Sequence, residues 1–524
     1  MPLIREVFPM VLKMILVVLF FAVMVGIGLY CRRHATDVNG FVLGGRSVGP
    51  WLTAFAYGTS YFSAVVFVGY AGQFGWKYGI AATWAGIGNA ILGSLLAWAV
   101  LGRRTRIMTQ HLDSATMPEF FGKRFGSPAL KIAASVVTFI FLIPYTASLY
   151  NGLSRLFGMA FNIDYAVCVV VMAVLTGIYI IAGGYMATAI NDFIQGIIMI
   201  FGICAVIVAV LKTQGGFLSA LNGLAQVTDE TVSTAPGIFN SFFGPDPINL
   251  LGVVILTSLG TWGLPQMVQK FYAIKSEKSI GTGMIVSTVF ALIVAGGCYF
   301  LGGFGRLFSD KIDIAANGYD SVVPTMLSGL PDMLIALVVI LVLSASMSTL
   351  SSLVLTSSST FTLDLLKGHV VKDMDEKKQV LVMRMLIVVF ILISVVLAII
   401  QYRSSVTFIA QLMGVSWGAL AGAFLAPFLY GLYWKRTSKI ACWCSFIFST
   451  VFMLAVISPL KTMLPALLQS PINAGAFCMI AGLIIVPVVS VFTPKPDREL
   501  VDNAFSCYER KVTVRQSAAL GDPE

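Results

Sequence analysis

The stretch SASMSTLSS (344–352) follows directly on the apolar run MLIALVVILVL (333–343), and the contrast between them decides the fold class. Similar apolar runs recur along the chain, in which 58% of the 524 residues are hydrophobic and only 11% are charged. Soluble domains carry about 25% charged residues, so this composition excludes an ordinary soluble protein. The hydroxyl-rich stretch therefore lies inside a predicted membrane helix, where so many polar groups require a structural or functional explanation.

Thirteen membrane spans are predicted, because a spanning helix needs about 20 mostly apolar residues. They cover residues 10–31, 50–72, 79–102, 128–156, 162–183, 189–212, 248–272, 280–305, 331–366, 380–401, 406–434, 439–458 and 472–492. Most of the 34 Lys and Arg residues, Lys270 among them, are assigned to loops that follow odd-numbered spans. Basic loops mark the cytoplasmic side, so in a plasma membrane the N-terminus is predicted outside and the C-terminus inside. The net charge of +10 is thus interpreted as a topology signal and not as a nucleic-acid surface.

Two of the predicted spans carry helix-breaking residues near their centres. Span 2 has Gly58 followed by Thr59 and Ser60, and span 7 has Gly263 and Pro265. Glycine lowers the cost of unwinding a helix, and proline removes a backbone donor. Either interruption alone is also ordinary for a membrane helix whose neighbours repair the lost hydrogen bonds. Broken helices in matching positions of two halves, however, indicate a transporter binding site.

The spacing of the two breaks predicts an architecture. Spans 2–6 form a unit of five, and an odd number of spans reverses the orientation of the next unit. We therefore expect an all-α integral membrane protein with a five-plus-five inverted-repeat core and broken helices 2 and 7. The single transmembrane domain (1–524) then divides into a first helix and cytoplasmic loop (1–48), repeat one (49–212), repeat two (247–434), two accessory helices (439–492) and a cytoplasmic tail (493–524).

The hydroxyl groups of span 9 favour an ion site. Eleven of the seventeen residues 344–360 are Ser or Thr, and Ala345, Ser348, Thr349 and Ser352 share one helix face. Hydroxyl oxygens and carbonyls freed where span 2 unwinds are ligands that suit a hard monovalent cation. The alternative is that these hydroxyls bond to their own helix or join neighbouring helices. Their number exceeds what packing requires, which favours sodium.

Asp192 is placed about one turn inside span 6, and an ionisable group at membrane depth indicates function. A helix N-terminal cap explains it equally well. The three histidines fall in loops, which favours sodium over protons, although proton coupling stays open. The sequence contains no GxxxxGK[ST] motif, so ATP bound to this chain is not expected to drive transport. The chain is expected to be a carrier and not an enzyme, with a solute sensor or a passive channel as alternatives.

Six motifs in order along the chain resemble the sodium/solute symporter family, which includes proline, pantothenate and sodium/glucose carriers. They are FVLGGRSVGPW (41–51), ATMPEFFGKRFG (115–126), IIAGGYMATAINDFIQGIIMIFG (180–202), GLPQMVQKFYAIKS (263–276), SASMSTLSS (344–352) and GLYWKR (431–436). The match is closest to the pantothenate and proline branches. It implies a symporter with Na+ as the coupling ion, a small organic solute and the lipid bilayer as partners, and no nucleic acid or obligatory protein partner.

The resemblance also implies residue roles. One sodium ion is expected between spans 2 and 9. Its expected ligands are the carbonyls of Thr59, Phe62 and Ala345 and the hydroxyls of Ser348 and Thr349. A further sodium, nearer the cytoplasm, matches the positions of Asp192, Ser351 and Ser352.

The solute is less defined by the resemblance. Tyr61 stands where proline carriers have an aspartate, and Thr257 and Thr261 stand where they have a tryptophan and a tyrosine. No charged residue is expected at mid-membrane, so helix dipoles and hydroxyls would receive an organic acid, a vitamin-like carboxylate or an amino acid. Packing explains each of the expected solute-lining residues equally well; they are Thr59, Ser60, Ser63, Thr257, Thr261, Trp262, Ser416 and Trp417.

Overall fold

The computed structural model describes residues 2–161, 163–230, 232, 234–367, 370–371, 374–404 and 409–509. These parts of the chain are built from helices and contain no β-strand longer than an isolated bridge. The predicted all-α membrane class is thereby confirmed.

The helices of the first half begin at the N-terminus and end before the second break. They are α1 (Pro2–Cys31), α2 (Val38–Leu43), α3 (Pro50–Tyr61), α4 (Ala71–Tyr78), α5 (Thr83–Gly88), α6 (Arg103–His111), α7 (Met117–Phe125), α8 (Pro128–Phe161), α9 (Tyr165–Thr213), α10 (Phe217–Gln226) and α11 (Pro247–Gly263). Stretches of wider π-helix, Val65–Tyr70, Asn89–Leu96 and Trp98–Gly102, connect several of them.

The helices of the second half begin after the second break. They are α12 (Pro265–Ala273), α13 (Lys278–Gly302), α14 (Ile314–Asn317), α15 (Val322–Ser328), α16 (Asp332–Thr360), α17 (Glu376–Ser404), α18 (Ile409–Tyr433), α19 (Lys439–Ile457), α20 (Pro471–Phe492) and α21 (Arg498–Ser506). The π-helix Phe361–Leu366 extends α16.

The helices do not by themselves confirm the predicted number of thirteen membrane spans. Within the described residues, 10 helices are long and apolar enough to cross a bilayer, or 11 if the bent pair α11–α12 counts as one more. Two of them exceed a single crossing, since the 49 residues of α9 reach about 74 Å against a hydrocarbon core of about 30 Å. Gly184 interrupts α9 with a φ of 57°, and Gly79 has a φ of 61° within the run Val65–His111. Both glycines lie where the sequence analysis predicts a boundary between two separate spans.

The first broken helix is interrupted two residues later than predicted. Gly58, Thr59 and Ser60 are helical, and α3 ends at Phe62, which is extended with φ −87° and ψ 120°. Gly58 has a packing role instead, because a Cβ there would lie 2.4 Å from the ring of Phe290 on α13. A glycine that permits close packing was therefore mistaken for the break itself.

The second broken helix is interrupted where the sequence predicts. Leu264 is extended with φ −82° and ψ 123°, and α11 and α12 meet there at an angle of 46°. Pro265 occupies the first turn of α12, where its missing N–H costs nothing. Both broken helices therefore offer backbone groups to the interior of the protein.

Close helix crossings hold the halves together around these breaks. A Cβ on Gly75 of α4 would lie 1.9 Å from the carbonyl oxygen of Gly302 at the end of α13. A Cβ on Gly86 of α5 would lie 2.4 Å from the Cα of Gly296. At these points backbone meets backbone, so no side chain can move aside to make room.

We predict that Gly75→Ala destabilises the fold by at least the 1–3 kcal/mol, roughly, that overpacking a core costs. Gly281→Ala is the matched control, because a Cβ at that exposed position on α13 meets nothing within 4 Å. Replacing a helical glycine by alanine there should stabilise by up to about 1 kcal/mol. Thermal unfolding of the two variants in detergent measures the difference, and equal unfolding temperatures would contradict the packing argument.

Candidate functional site

Two hydroxyl groups of α16 face the break that follows α3. The Ser348 hydroxyl lies 3.1 Å from the carbonyl oxygens of Thr59 and Ala345. The Thr349 hydroxyl lies 3.2 Å from the carbonyl oxygens of Thr59, Phe62 and Ala345. The structure therefore brings together all five residues that the sequence assigns to the first sodium site.

This group, which we call the break cluster (Thr59, Phe62, Ala345, Ser348 and Thr349), is electronegative. All five residues are completely buried. Three carbonyl oxygens and two hydroxyl oxygens share only two hydroxyl protons, because each hydroxyl donates a single hydrogen bond. A buried group with more oxygen acceptors than protons has the chemistry that a hard cation prefers.

A second polar group lies one residue further along α3, at Ser60, and three residues further along α16, at Ser352. The Ser352 hydroxyl lies 2.8 Å from the Ser60 hydroxyl and accepts a hydrogen bond of 3.0 Å from the Lys270 ammonium. Ser351 donates to the carbonyl of Ser348 at 2.8 Å. Asp192 is completely buried, and neither of its oxygens accepts a hydrogen bond from the described residues. The three residues of the expected second sodium site thus lie near a buried lysine.

Lys270 corrects one expectation. The sequence analysis assigned it to a cytoplasmic loop, but it is only 2% exposed on α12. A signal was present, since Lys270 falls inside the predicted span 248–272 and five residues after Pro265. The N-cap explanation of Asp192 is also wrong, because Asp192 lies eight residues beyond Gly184 within α9.

Most of the expected solute-lining residues use their polar atoms within the protein. Thr257 donates to its own helix at Val253, and Ser63 accepts from the backbone N–H of Val65. The remaining contacts join helices: Thr261 to the carbonyl of Gly93 at 2.8 Å, Trp262 to that of Leu92 at 2.8 Å, Ser416 to that of Phe141 at 2.5 Å, and Ser60 to Ser352. Among these residues, Trp417 alone has a buried donor, Nε1, without an acceptor in the described part of the chain.

Three residues that the sequence analysis missed complete a cluster of buried donors around Trp417. The hydroxyls of Tyr145 and Tyr299 and the Nδ2 of Asn89 also form no hydrogen bond of good geometry among the described residues, although Tyr145 interacts with Trp417 and Ser63, and Tyr299 with Asn89 and Thr257. The rings of Tyr145 and Trp417 meet edge to face at 5.9 Å, and both tyrosines interact with Tyr70. We call Asn89, Tyr145, Tyr299 and Trp417 the donor cluster. Its members come from four separate segments, so no spacing in the sequence could reveal it.

A cavity of 690 Å³ lies beyond the donor cluster. It is located at the end of the broken helices where the C-terminus of α4 and the N-terminus of α11 lie. Phe74 and Val253 line this cavity. Phe74 is one helical turn from Tyr70, and Val253 is one helical turn from Thr257, and both Tyr70 and Thr257 lie at the cluster. Charged groups line its walls: Lys77, Asp229, Asp246, Arg306 and Lys461. Residues at the donor cluster therefore lie within one helical turn of a polar cavity.

The opposite end of the broken helices is closed by arginine contacts. Arg46, just before α3, donates to the carbonyl of Ser114 at 2.7 Å, and Arg106 donates to the carbonyl of Ile274 at 2.5 Å. Two backbone hydrogen bonds also join Val48 to the end of α12. The polar interior is therefore closed at this end by backbone contacts and lies near a polar cavity at the other.

Comparison with known proteins identifies the family. The sequence model of the sodium:solute symporter family matches residues 41–447. This chain belongs to that family. Sodium is accordingly its coupling ion, and the motif resemblance found in the sequence is confirmed.

The curated relatives of this symporter include two described as proline carriers. It is 28% identical over 482 residues to the osmoregulated proline transporter OpuE of Bacillus subtilis (strain 168), covering 91% of this chain and 94% of that protein. It is 29% identical over 496 residues to the sodium/proline symporter of Staphylococcus aureus (strain JH9), covering 92% and 93%. The family and these relatives are multi-pass membrane transporters and not enzymes.

The fold is shared with a solved structure of a Na+-coupled sialic acid symporter in a substrate-bound outward-open state. The TM-score is 0.73 at 17% sequence identity, and the match covers 93% of this chain and 99% of that one. At this identity the likeness establishes the fold, and it extends over nearly the whole transmembrane domain.

Proposed function

We propose that this symporter imports a small carboxylate-bearing solute together with sodium by alternating access, with proline as the first candidate. The observation that carries the proposal is the break cluster, in which oxygens from α16 meet freed carbonyls of α3. The donor cluster and the proline-carrier relatives support the solute class.

Sodium binds at the break cluster in this proposal. The ion replaces the hydroxyl protons as the partner of the carbonyl oxygens of Thr59 and Phe62, so that it joins α3 to α16 at the interruption. The ion fixes the segment that carries Ser63, and this segment leads to the donor cluster. Binding of sodium therefore favours binding of solute. By linkage, solute increases the affinity for sodium by the same factor.

The solute carboxylate binds at the donor cluster. Two tyrosine hydroxyls, an indole N–H and an amide NH2 are all donors, and a carboxylate accepts only. Hydrogen bonds to a charged group contribute about 1.5–3 kcal/mol each, and leaving buried donors unpaired is costly. The buried Oε1 of Gln73, which lines the cavity and lacks a donor in the described residues, is an acceptor for an amino or imino group.

Transport itself is the first test. Proteoliposomes are loaded with potassium and given labelled proline, other amino acids or pantothenate outside, with either sodium or choline. We expect sodium-dependent accumulation of at least one carboxylate above its outside concentration. Equilibration without accumulation would support a channel, and binding without uptake would support a sensor.

Ser348→Ala and Thr349→Val should each raise the sodium concentration for half-maximal uptake by roughly 10-fold or more, because a ligand worth at least ~1.4 kcal/mol is lost. Ser358→Ala is the matched control, since Ser358 is a buried hydroxyl of the same helix that donates only to its own turn at Leu355. Uptake measured as a function of sodium gives the result. An unchanged sodium requirement in both variants would remove the break cluster as the site.

Tyr145→Phe should raise the solute concentration for half-maximal uptake by roughly 10-fold or more, while the sodium requirement at saturating solute changes little. Tyr430→Phe serves as control, because its hydroxyl donates to Leu483 on the accessory helix α20. Competition by the amide of the transported acid adds an independent measurement. If the amide competes as well as the acid does, the donor cluster does not bind a carboxylate.

A further inference from the structure

Lys270 is a buried cation that the transport mechanism described above does not use. It lies on α12, the short helix that follows the break at Leu264, and is 2% exposed. Its ammonium donates to Ser352 on α16 at 3.0 Å and lies 5.0 Å from the ring centroid of Tyr185 on α9. A charge this deeply buried persists only when it is paired and hydrogen-bonded.

Asp192 supplies the opposite charge. It is completely buried on α9, it interacts electrostatically with Lys270, and its two oxygens accept no hydrogen bond from other described residues. The pair spans three elements, since Asp192 lies on α9, Lys270 on α12 and the shared hydroxyl of Ser352 on α16. The ammonium is hydrogen-bonded to α16 at Ser352 and faces α9 through the Tyr185 ring and the charge of Asp192, without a hydrogen bond to that carboxylate.

Of the residues expected to hold a second sodium, Ser352 does not fit that role here. Its hydroxyl oxygen already accepts a hydrogen bond from the Lys270 ammonium and lies 2.8 Å from the Ser60 hydroxyl. A sodium ion on the Ser352 oxygen would also lie beside a like charge in a buried site, where charges are weakly screened. Asp192 is the only one of the three residues whose ligand oxygens are left without a hydrogen bond.

We propose that the Lys270 ammonium is a tethered cation that takes the place of a second sodium ion, so that this symporter binds one sodium per transport cycle. The inference rests on the proposed function, because it assumes that the break cluster holds the first ion. A tethered cation neutralises Asp192 permanently and stays with the protein, whereas a bound ion would be released with each cycle.

The number of sodium ions bound by the purified full-length protein tests the inference without any solute. Equilibrium binding of radioactive sodium in detergent should give one ion per wild-type chain. Lys270→Met removes the tethered charge and should give two, since Asp192, Ser351 and Ser352 become available. Lys270→Met combined with Asp192→Asn should return the number to one. Lys275→Met, which removes an exposed lysine just beyond the end of α12, should leave it at one.

The outcomes separate this inference from the proposed function. Two ions on the wild-type protein, or one ion on a folded Lys270→Met protein, would overturn the tethered cation and leave sodium symport intact. No sodium on the wild-type protein would overturn both. If Lys270→Met does not fold, the number of sodium ions bound by Asp192→Asn distinguishes the two possibilities. The tethered cation predicts one bound ion before and after this substitution. A true second sodium site predicts a fall from two bound ions to one.

Discussion

The interruption of α3 at Phe62 faces the hydroxyls of Ser348 and Thr349, and the rest of the structure depends on this contact. Backbone carbonyls that lose their helical partners inside a bilayer must find others, because no water is available to them. The hydroxyl-rich face of α16 is the partner that this sequence provides. The broken helix and the run of hydroxyls are therefore one feature, and neither would be stable at membrane depth without the other.

The two proposed cation positions adjoin each other at that contact. Ser60 follows Thr59 on α3 and Ser352 follows Thr349 by three residues on α16, so the break cluster and the hydroxyls beside the Lys270 ammonium share both helices. The proposed sodium position has neutral oxygens, from which a monovalent ion is readily released. The proposed second position has a carboxylate, whose stronger attraction is offset by the ammonium of Lys270. In this proposal a reversibly bound cation and a tethered cation lie side by side.

The sequence predicts those parts of the site that depend on local spacing. Ser348 and Thr349 share a face because a helix places positions three and four apart together, and Pro265 marks a break because its backbone has no donor. The break after α3 was misplaced because Gly58 owes its presence to the ring of Phe290, a contact invisible in the sequence. Lys270 was assigned to a loop because charge near a span end usually lies outside the membrane. The donor cluster depends on four segments that only the tertiary fold brings together.

The sodium number and the solute class are physically linked. A monocarboxylate without an amino group is an anion, and its transport with one sodium moves no net charge, so the membrane potential does not drive it. A zwitterionic amino or imino acid moves one net positive charge with one sodium, which contributes about 2.3 kcal/mol per 100 mV, or roughly fifty-fold accumulation. A carrier whose second cation is fixed to the chain therefore gains from the potential only with a solute that carries its own amino group. That reasoning favours a proline-like zwitterion over a vitamin-like acid, and it makes a buried acceptor such as Gln73 Oε1 as important as the donors of the donor cluster.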